Sequence, residues 1–244
     1  MYSELSEIEV LIEDSILNNY IDAEDKDVWV IGDVHGCGRE FKLILEELRA
    51  KSPDGYIFQL GDLIDRGPDL YDVFKLMEEY NVYGCIGNHE LNFIQEHFGY
   101  KKCRSRPRFQ THKQFEALSK EKQEFVLSSI MKQKNMFGVE IGTNQWALSH
   151  SPSKHFSIIH DVGNASSTCM NNVQYTEEDS FGVHGHMHWA YTPIEDQIDK
   201  NKNKCFNVDA GCCYGNYLLA LNLKTLEYIK IKAKTSYATI EERK

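Results

Sequence analysis

Three short motifs in the first ninety residues hold side chains that together could bind cations. Gly32-Asp33-Val34-His35-Gly36 sets a carboxylate and an imidazole two residues apart, in a turn that glycine makes accessible. Gly61-Asp62-Leu63-Ile64-Asp65-Arg66-Gly67 adds two carboxylates and a guanidinium, and Gly87-Asn88-His89-Glu90 adds an amide, an imidazole and a further carboxylate. An isolated His150, the run Gly185-His186-Met187-His188 and the segment Asn207-Val208-Asp209-Ala210-Gly211 follow. Mixed carboxylate, imidazole and amide donors suit Mn, Fe or Zn rather than Ca or Mg, and no cysteine sits inside these motifs. Each motif taken singly is weak, because Asp beside Gly caps helices in many proteins. Their weight comes from recurring in order, each just after a run that reads as a strand.

Those runs are short and apolar. Val28 to Ile31 reads as a buried strand, followed by a loop and then by Phe41, Ile44, Leu45 and Leu48 at helical spacing. Tyr56 to Leu60, a Gly/Pro loop, and the face of Leu70, Val73, Phe74, Met77 and Tyr80 repeat the unit; a third strand runs from Val82 to Ile86. Strand-loop-helix repeats predict an α/β fold with parallel strands and a ligand site beyond their C-terminal ends. After Gln114 the chain reads as helical to about Gln133, then as strands at Met136 to Ile141 and Gln145 to Ser149 around a Gly142-Thr143-Asn144 turn. Strand-like runs at Phe181 to His184, Cys205 to Val208, Tyr217 to Leu223 and Glu227 to Ile231 suggest a second sheet packed on the first. Ahead of all this, Leu5, Ile8, Leu11, Ile12 and Ile16 predict a helix, so residues 1–27 read as a helical extension on a core of 28–232, in one domain spanning 1–244.

Composition narrows the setting. With 41% hydrophobic and 26% charged residues, the 244-residue chain has material for a proper core. Its longest apolar runs, such as Leu218 to Leu223, fall far short of a membrane span. A formal charge of −10 argues against stable binding of nucleic acid, which draws on clustered cations. The exception is the stretch Lys101 to Arg108, KKCRSRPR, with five cations in eight residues: either a phosphate-seeking patch or a solvated loop. Seven cysteines at irregular spacing do not read as a disulfide framework, and reduced thiols fit a cytoplasmic protein.

The motifs GDVHG, GDLIDRG and GNHE resemble the signatures of the phosphoprotein phosphatase family within the calcineurin-like metallophosphoesterases, and the short-chain form is similar to bacteriophage lambda and bacterial serine/threonine phosphatases. The lone His150, Gly185-His186 and Asp209-Ala210-Gly211 extend the resemblance from about Val28 to Leu223. It implies two packed mixed sheets flanked by helices and a pair of divalent ions, Mn first among Mn, Fe and Zn. Asp33 and His35 then bind one ion, Asp62 bridges both, and Asn88, His150 and His186 hold the second. A hydroxide between the ions attacks the phosphorus in line, His89 protonates the leaving oxygen, Asp65 orients His89, and Arg66 grips the phosphate. The plainer readings are an Asp65–Arg66 surface ion pair and a His89 that merely caps a helix. Asp69 and Glu90 read as first-turn helix residues, His184 as structural, and His97 and His112 as helix-surface residues.

Two departures bear on substrate. The family places a second phosphate-binding arginine between the lone His and the Gly-His segment, but no arginine occurs between Arg108 and Arg243. The replacement candidates are Arg104, Arg106, Arg108 and Lys154, with His155 beside the last. Gly185-His186-Met187-His188 supplies a second histidine, His188, which either completes the first ion's shell, as in nucleotide and phosphodiester hydrolases, or faces solvent near Trp189. The reading is a phosphomonoesterase acting on phosphoserine or phosphothreonine proteins or on a phosphorylated small molecule; the alternative is a hydrolase of diadenosine polyphosphates, cyclic phosphodiesters or RNA ends. A binding module with a dead site would lack a ligand, and all six are present.

Overall fold

A computed structural model describes residues 19–100, 102, 106–151, 180–200 and 205–239. The expected helix through Leu5 and Ile16 lies outside those residues, as do Arg104, Lys154 and His155, while Arg106 and Arg108 enter only as backbone in the first turn of a helix.

The strands are β1 (Tyr20–Asp22), β2 (Val28–Ile31), β3 (Tyr56–Gln59), β4 (Val82–Gly84), β5 (Met136–Ile141), β6 (Asn144–Ser149), β7 (Ser180–His184), β8 (Cys205–Asn207), β9 (Tyr217–Asn222) and β10 (Tyr228–Lys232). The helices are α1 (Gly38–Lys51), α2 (Leu70–Glu79), α3 (Asn88–His97), α4 (Arg106–Glu116), α5 (Lys120–Met131) and α6 (Ile194–Lys200). One sheet runs β10-β9-β2-β3-β4 and the other β1-β5-β6-β7-β8. In the first, β2, β3 and β4 are parallel; in the second, β6, β7 and β8 are parallel.

Alternation along the central strands creates the layers. Val28 and Val30 of β2, with Leu219 and Leu221 of β9, face Phe137, Val139, Trp146, Leu148 and Val183 of the other sheet. The intervening Trp29, Ile31, Leu218 and Ala220 turn the opposite way, onto the apolar stripes of α1 and α2. Strands buried on both faces read as continuous apolar runs, which is why their sequences gave a strand without a side.

Three expectations change. Residues 20–22, assigned to the helical extension, form β1, because Ile21 packs into the space between the sheets and the strand pairs in parallel with Gly138 to Glu140. The strands of the second half do not all join the second sheet: β9 pairs antiparallel with β2, inserting Leu219 and Leu221 beside Val30, and carries β10 with it. The helical stretch begins earlier than Gln114 and is two helices, broken before Ser119, whose side chain accepts the Lys122 N–H as an N-cap.

Truncating a fully buried side chain in the layer between the sheets leaves a cavity there. Leu221→Ala should therefore destabilise the fold by about 2–5 kcal/mol, read as a lower urea midpoint at unchanged slope.

Candidate metal centre

The parallel strands of both sheets end on the same edge of the sandwich, and the motif residues sit just past those ends. Asp33 follows β2, Asp62 follows β3 and Asn88 follows β4; His150, His186 and Asp209 follow β6, β7 and β8. Backbone bonds clamp the loops together across strands and sheets: Val34 and His35 both donate to the Asp62 carbonyl at 3.1 and 2.8 Å, and Gly185 donates to the His150 carbonyl at 3.0 Å. Asp33 Oδ1 accepts the His186 N–H at 2.9 Å, tying one sheet's loop to the other's.

The ring geometry leaves donor atoms pointing inward. His35 Nδ1 lies 2.8 Å from the Ile64 carbonyl and His150 Nδ1 lies 2.8 Å from that of Leu60, so each ring commits Nδ1–H to the backbone and presents Nε2. Around His150 Nε2 stand Asn88 Oδ1 at 3.0 Å, His186 Nδ1 at 3.1 Å and Asp62 Oδ1 at 3.3 Å. Around His35 Nε2 stand Asp62 Oδ2 at 3.6 Å and Asp33 Oδ2 at 3.8 Å. Among the groups of possible ligand atoms that converge within 4.8 Å, two lie here, one of His35, Asp62 and His89 and one of Asp62, His150 and His186. Asp62 belongs to both.

Thr111, Asp65 and His89 form a line behind the cage. Asp65 Oδ2 binds His89 Nδ1, and Thr111 donates to Asp65 Oδ1 at 2.5 Å, so His89 is held from behind by a buried carboxylate that is itself held. Arg66 lies inward of its expected place: its guanidinium contacts His35 Nε2 and reaches within 3.4 Å of His89 Nε2. This excludes a simple surface ion pair with Asp65. Its outer flank rests on Tyr214, 5.4 Å from the ring centre. His188 sits 3.8 Å from Asp209 Oδ2, beside the cage and outside both converging groups.

The sequence pattern of the calcineurin-like phosphoesterases matches residues 26–190. The chain belongs to the calcineurin-like phosphoesterases. It is 25% identical to an asymmetrical bis(5'-nucleosyl)-tetraphosphatase of Oceanobacillus iheyensis, over 85% of this chain and 93% of that one. Shorter matches are a symmetrical bis(5'-nucleosyl)-tetraphosphatase of Buchnera aphidicola, 37% identical over 30% of this chain, and serine/threonine-protein phosphatase 1 of Salmonella typhimurium, 41% identical over 26% of it. The chain spans only about a quarter of the length of these two, 27% and 29%. Among solved structures, a candidate diadenosine tetraphosphatase superposes with a TM-score of 0.59 at 16% identity, covering 88% of this chain and 98% of that one. Phosphoesterases of this family use divalent metal ions, and the two converging donor groups give this one a place for them.

The electrostatics of the phosphoesterase fit a cation. Burial, then the neighbouring Asp209, pushes the Asp33 carboxyl well above its ordinary value. Burial would also raise Asp62, but His150, His89 and His35 outweigh it and hold Asp62 well below the carboxylate range. Burial works against a charge on His150, yet Asp62, Asp33 and the Leu60 carbonyl raise it to about 10. His186 is lowered to about 4, chiefly by burial and then by His150. His150 Nε2 therefore lies where oxygen and nitrogen acceptors converge, and a metal ion bound there would compete with its proton.

Two fasteners escaped the sequence reading. Glu90 is a first-turn helix residue, but it is fully buried: Oε2 accepts the Gly87 and Asp62 N–H groups at 2.9 Å each, and Oε1 accepts that of Ile64 at 3.1 Å. The bond back to Gly87 is the return half of a capping box and was legible from the three-residue spacing; the bonds to the second motif were not. Thr111 had no local signal, because its partner lies far away in the chain. His112 is no surface residue, since it pairs with Glu96 at 3.0 Å and stacks on Phe93. His184 is structural as expected, buried with Nδ1 2.8 Å from the Gly185 carbonyl.

Glu90→Gln sets an amide NH2 against backbone N–H donors, so the variant should lose about 1–3 kcal/mol in thermal unfolding and also lose activity as Asp62 shifts. Metal-stripped protein binding Mn at pH 7 should release about one proton as His150 gives up its charge, and affinity should rise with pH towards about 10. Calorimetry in two buffers of different ionisation enthalpy measures this, and equal heats would show that His150 keeps no proton to lose.

Proposed function

We propose that this phosphoesterase hydrolyses dinucleoside polyphosphates by direct attack of water, with two divalent ions held by Asp33, His35 and Asp62 and by Asp62, Asn88, His150 and His186. Manganese is our first choice of ion, ahead of iron and zinc, because the donors are oxygen and nitrogen with no sulfur. The observation that carries the substrate reading is the match to the Oceanobacillus tetraphosphatase along nearly all of both chains, where the protein phosphatase match is confined to 63 residues. The lack of any arginine from residue 109 to 242 also removes the second phosphate clamp of the protein phosphatase pattern from that part of the chain. All five described cysteines are free thiols, which suits the reducing cytoplasm, and no helix among the described residues is long and apolar enough to cross a membrane.

When bound, the ions lower the pKa of water towards neutrality and neutralise phosphoryl oxygens. The protein's own groups do the rest. Asp62 stands between the donor sets and fixes their separation. Asp65 accepts a hydrogen bond from the Nδ1–H of His89, which aims Nε2 at the site; with Nε2 also protonated, His89 supplies the proton that the leaving oxygen needs and is left as the neutral imidazole. Arg66 turns from His35 Nε2 to the incoming phosphoryl group, offering a forked pair of N–H donors and freeing the imidazole for its ion.

The second reading, a serine/threonine protein phosphatase, is favoured by the 41% identity to the Salmonella phosphatase over 63 residues. Turnover of diadenosine tetraphosphate, a phosphoserine peptide, p-nitrophenyl phosphate and bis-p-nitrophenyl phosphate with Mn, Fe or Zn separates the two. The dinucleotide should give the highest kcat/KM, Asp62→Asn should abolish turnover, and His89→Ala should lower kcat by roughly 10²–10⁴. A phosphopeptide preference would select the second reading, and no turnover with any of the metals would sink both.

A further inference from the structure

Beside the donor cage lies a run of aromatic groups that the hydrolytic chemistry does not use. From the Arg66 guanidinium it passes to Tyr214 at 5.4 Å, from Tyr214 to His188 at 4.5 Å, from His188 to Trp189 at 5.2 Å, and from Trp189 to His186 at 5.5 Å. One end of the run is a cation at the phosphoryl site and the other is an indole against a cage imidazole. Trp189 is 52% exposed, whereas Trp29 and Trp146, the other two tryptophans of the chain, are buried in the core. Both imidazoles meet the indole steeply, at 76° and 86°, so neither lies flat on its face. A large apolar ring at the rim of a polar, charged cage needs a reason, because exposing an indole forgoes the stabilisation that its burial gives elsewhere in the same chain.

We propose that Trp189 is the platform on which a nucleoside base of the substrate stacks while the adjoining phosphate chain enters the cage. The inference rests on the nucleotide reading and deepens it. A base is planar with a π-face on each side, and stacking on an aromatic side chain is favourable for any base. In a nucleoside polyphosphate the base stands one ribose away from the first phosphate, so a ring adjoining a cage ligand is suitably placed. A phosphoserine offers no ring next to its phosphate. Tyr214 and His188 brace the indole from the Arg66 side and fix the distance between platform and phosphate grip.

The test separates binding from turnover. Metal-stripped full-length protein is titrated with adenosine triphosphate and, separately, with inorganic tripolyphosphate and a phosphoserine peptide, while tryptophan emission is followed with correction for absorbance. Adenosine triphosphate should quench and the other two should not; Trp189→Phe should lose the quench, which assigns it. Equal response to triphosphate and tripolyphosphate, or quenching that persists in Trp189→Phe, would overturn the platform. In the metal-loaded enzyme, Trp189→Ala should raise KM for diadenosine tetraphosphate roughly tenfold with little change in kcat, and Trp189→Phe should keep most of the affinity. An unchanged KM in Trp189→Ala would overturn the platform while leaving the function intact. If the wild-type enzyme cleaves phosphopeptide and not the dinucleotide, the functional reading fails, and the quenching comparison still decides the platform.

Discussion

Two carboxylates sunk almost out of solvent at the seam between two sheets set the terms for the rest of this protein. Asp33 is 3% and Asp62 2% exposed, and a buried charge left unpaired costs far more than the fold can spare. Three imidazoles and a guanidinium converge on them, and the rings of His35 and His150 are pinned through Nδ1 by backbone carbonyls. Without those pins the rings would turn, and the carboxylates would lose their partners.

Holding so many polar groups on one point requires unusual backbone. His35, Asp62, Asp65, Arg66 and His186 all adopt positive φ, from 48° to 73°, in a region that non-glycine residues enter at a cost of about 1–3 kcal/mol each. The surroundings overdetermine these conformations. Glu90 gathers three N–H groups from two motifs, and buried Gln59 bonds both the N–H and the carbonyl of Gly61. The motif glycines are needed for space as much as for turning: a Cβ at Gly87 would collide with Asp62, and one at Gly185 with Asp33 Oδ1. Stability built into the two sheets is thus spent in part on a preorganised polar centre, which is how sites with fixed donors avoid reorganising when charge develops.

The candidate donors and the strands that carry them were legible in the sequence, because both signals are local. A four-residue apolar run followed by Gly-Asp states strand, turn and ligand within six residues, and β2, β3 and β4 all fell where those runs were. What was illegible depends on partners distant in the chain. Tyr20 to Asp22 become a strand only because β5 offers an edge, and β9 enters the first sheet because Leu219 and Leu221 fit beside Val30. Glu90 read as an ordinary first-turn acid, since nothing local tells that Asp62 and Ile64 would turn their N–H groups towards it. Thr111, holding Asp65 across 46 positions, belongs to the same class.

The division of donors between the sheets carries a further consequence. Asp33, Asp62 and Asn88 come from one sheet, and His150 and His186 come from the other. The Asp33–His186 bond and the approach of His150 Nε2 to Asp62 Oδ1 at 3.3 Å already tie the two edges together. An ion held by donors from both sheets would strengthen that seam, and its binding free energy would add to the stability of the sandwich as a whole. That arrangement also accounts for Arg66 inside the cage: with Asp33, Asp62 and Asp209 buried together, its guanidinium supplies positive charge that the carboxylates call for.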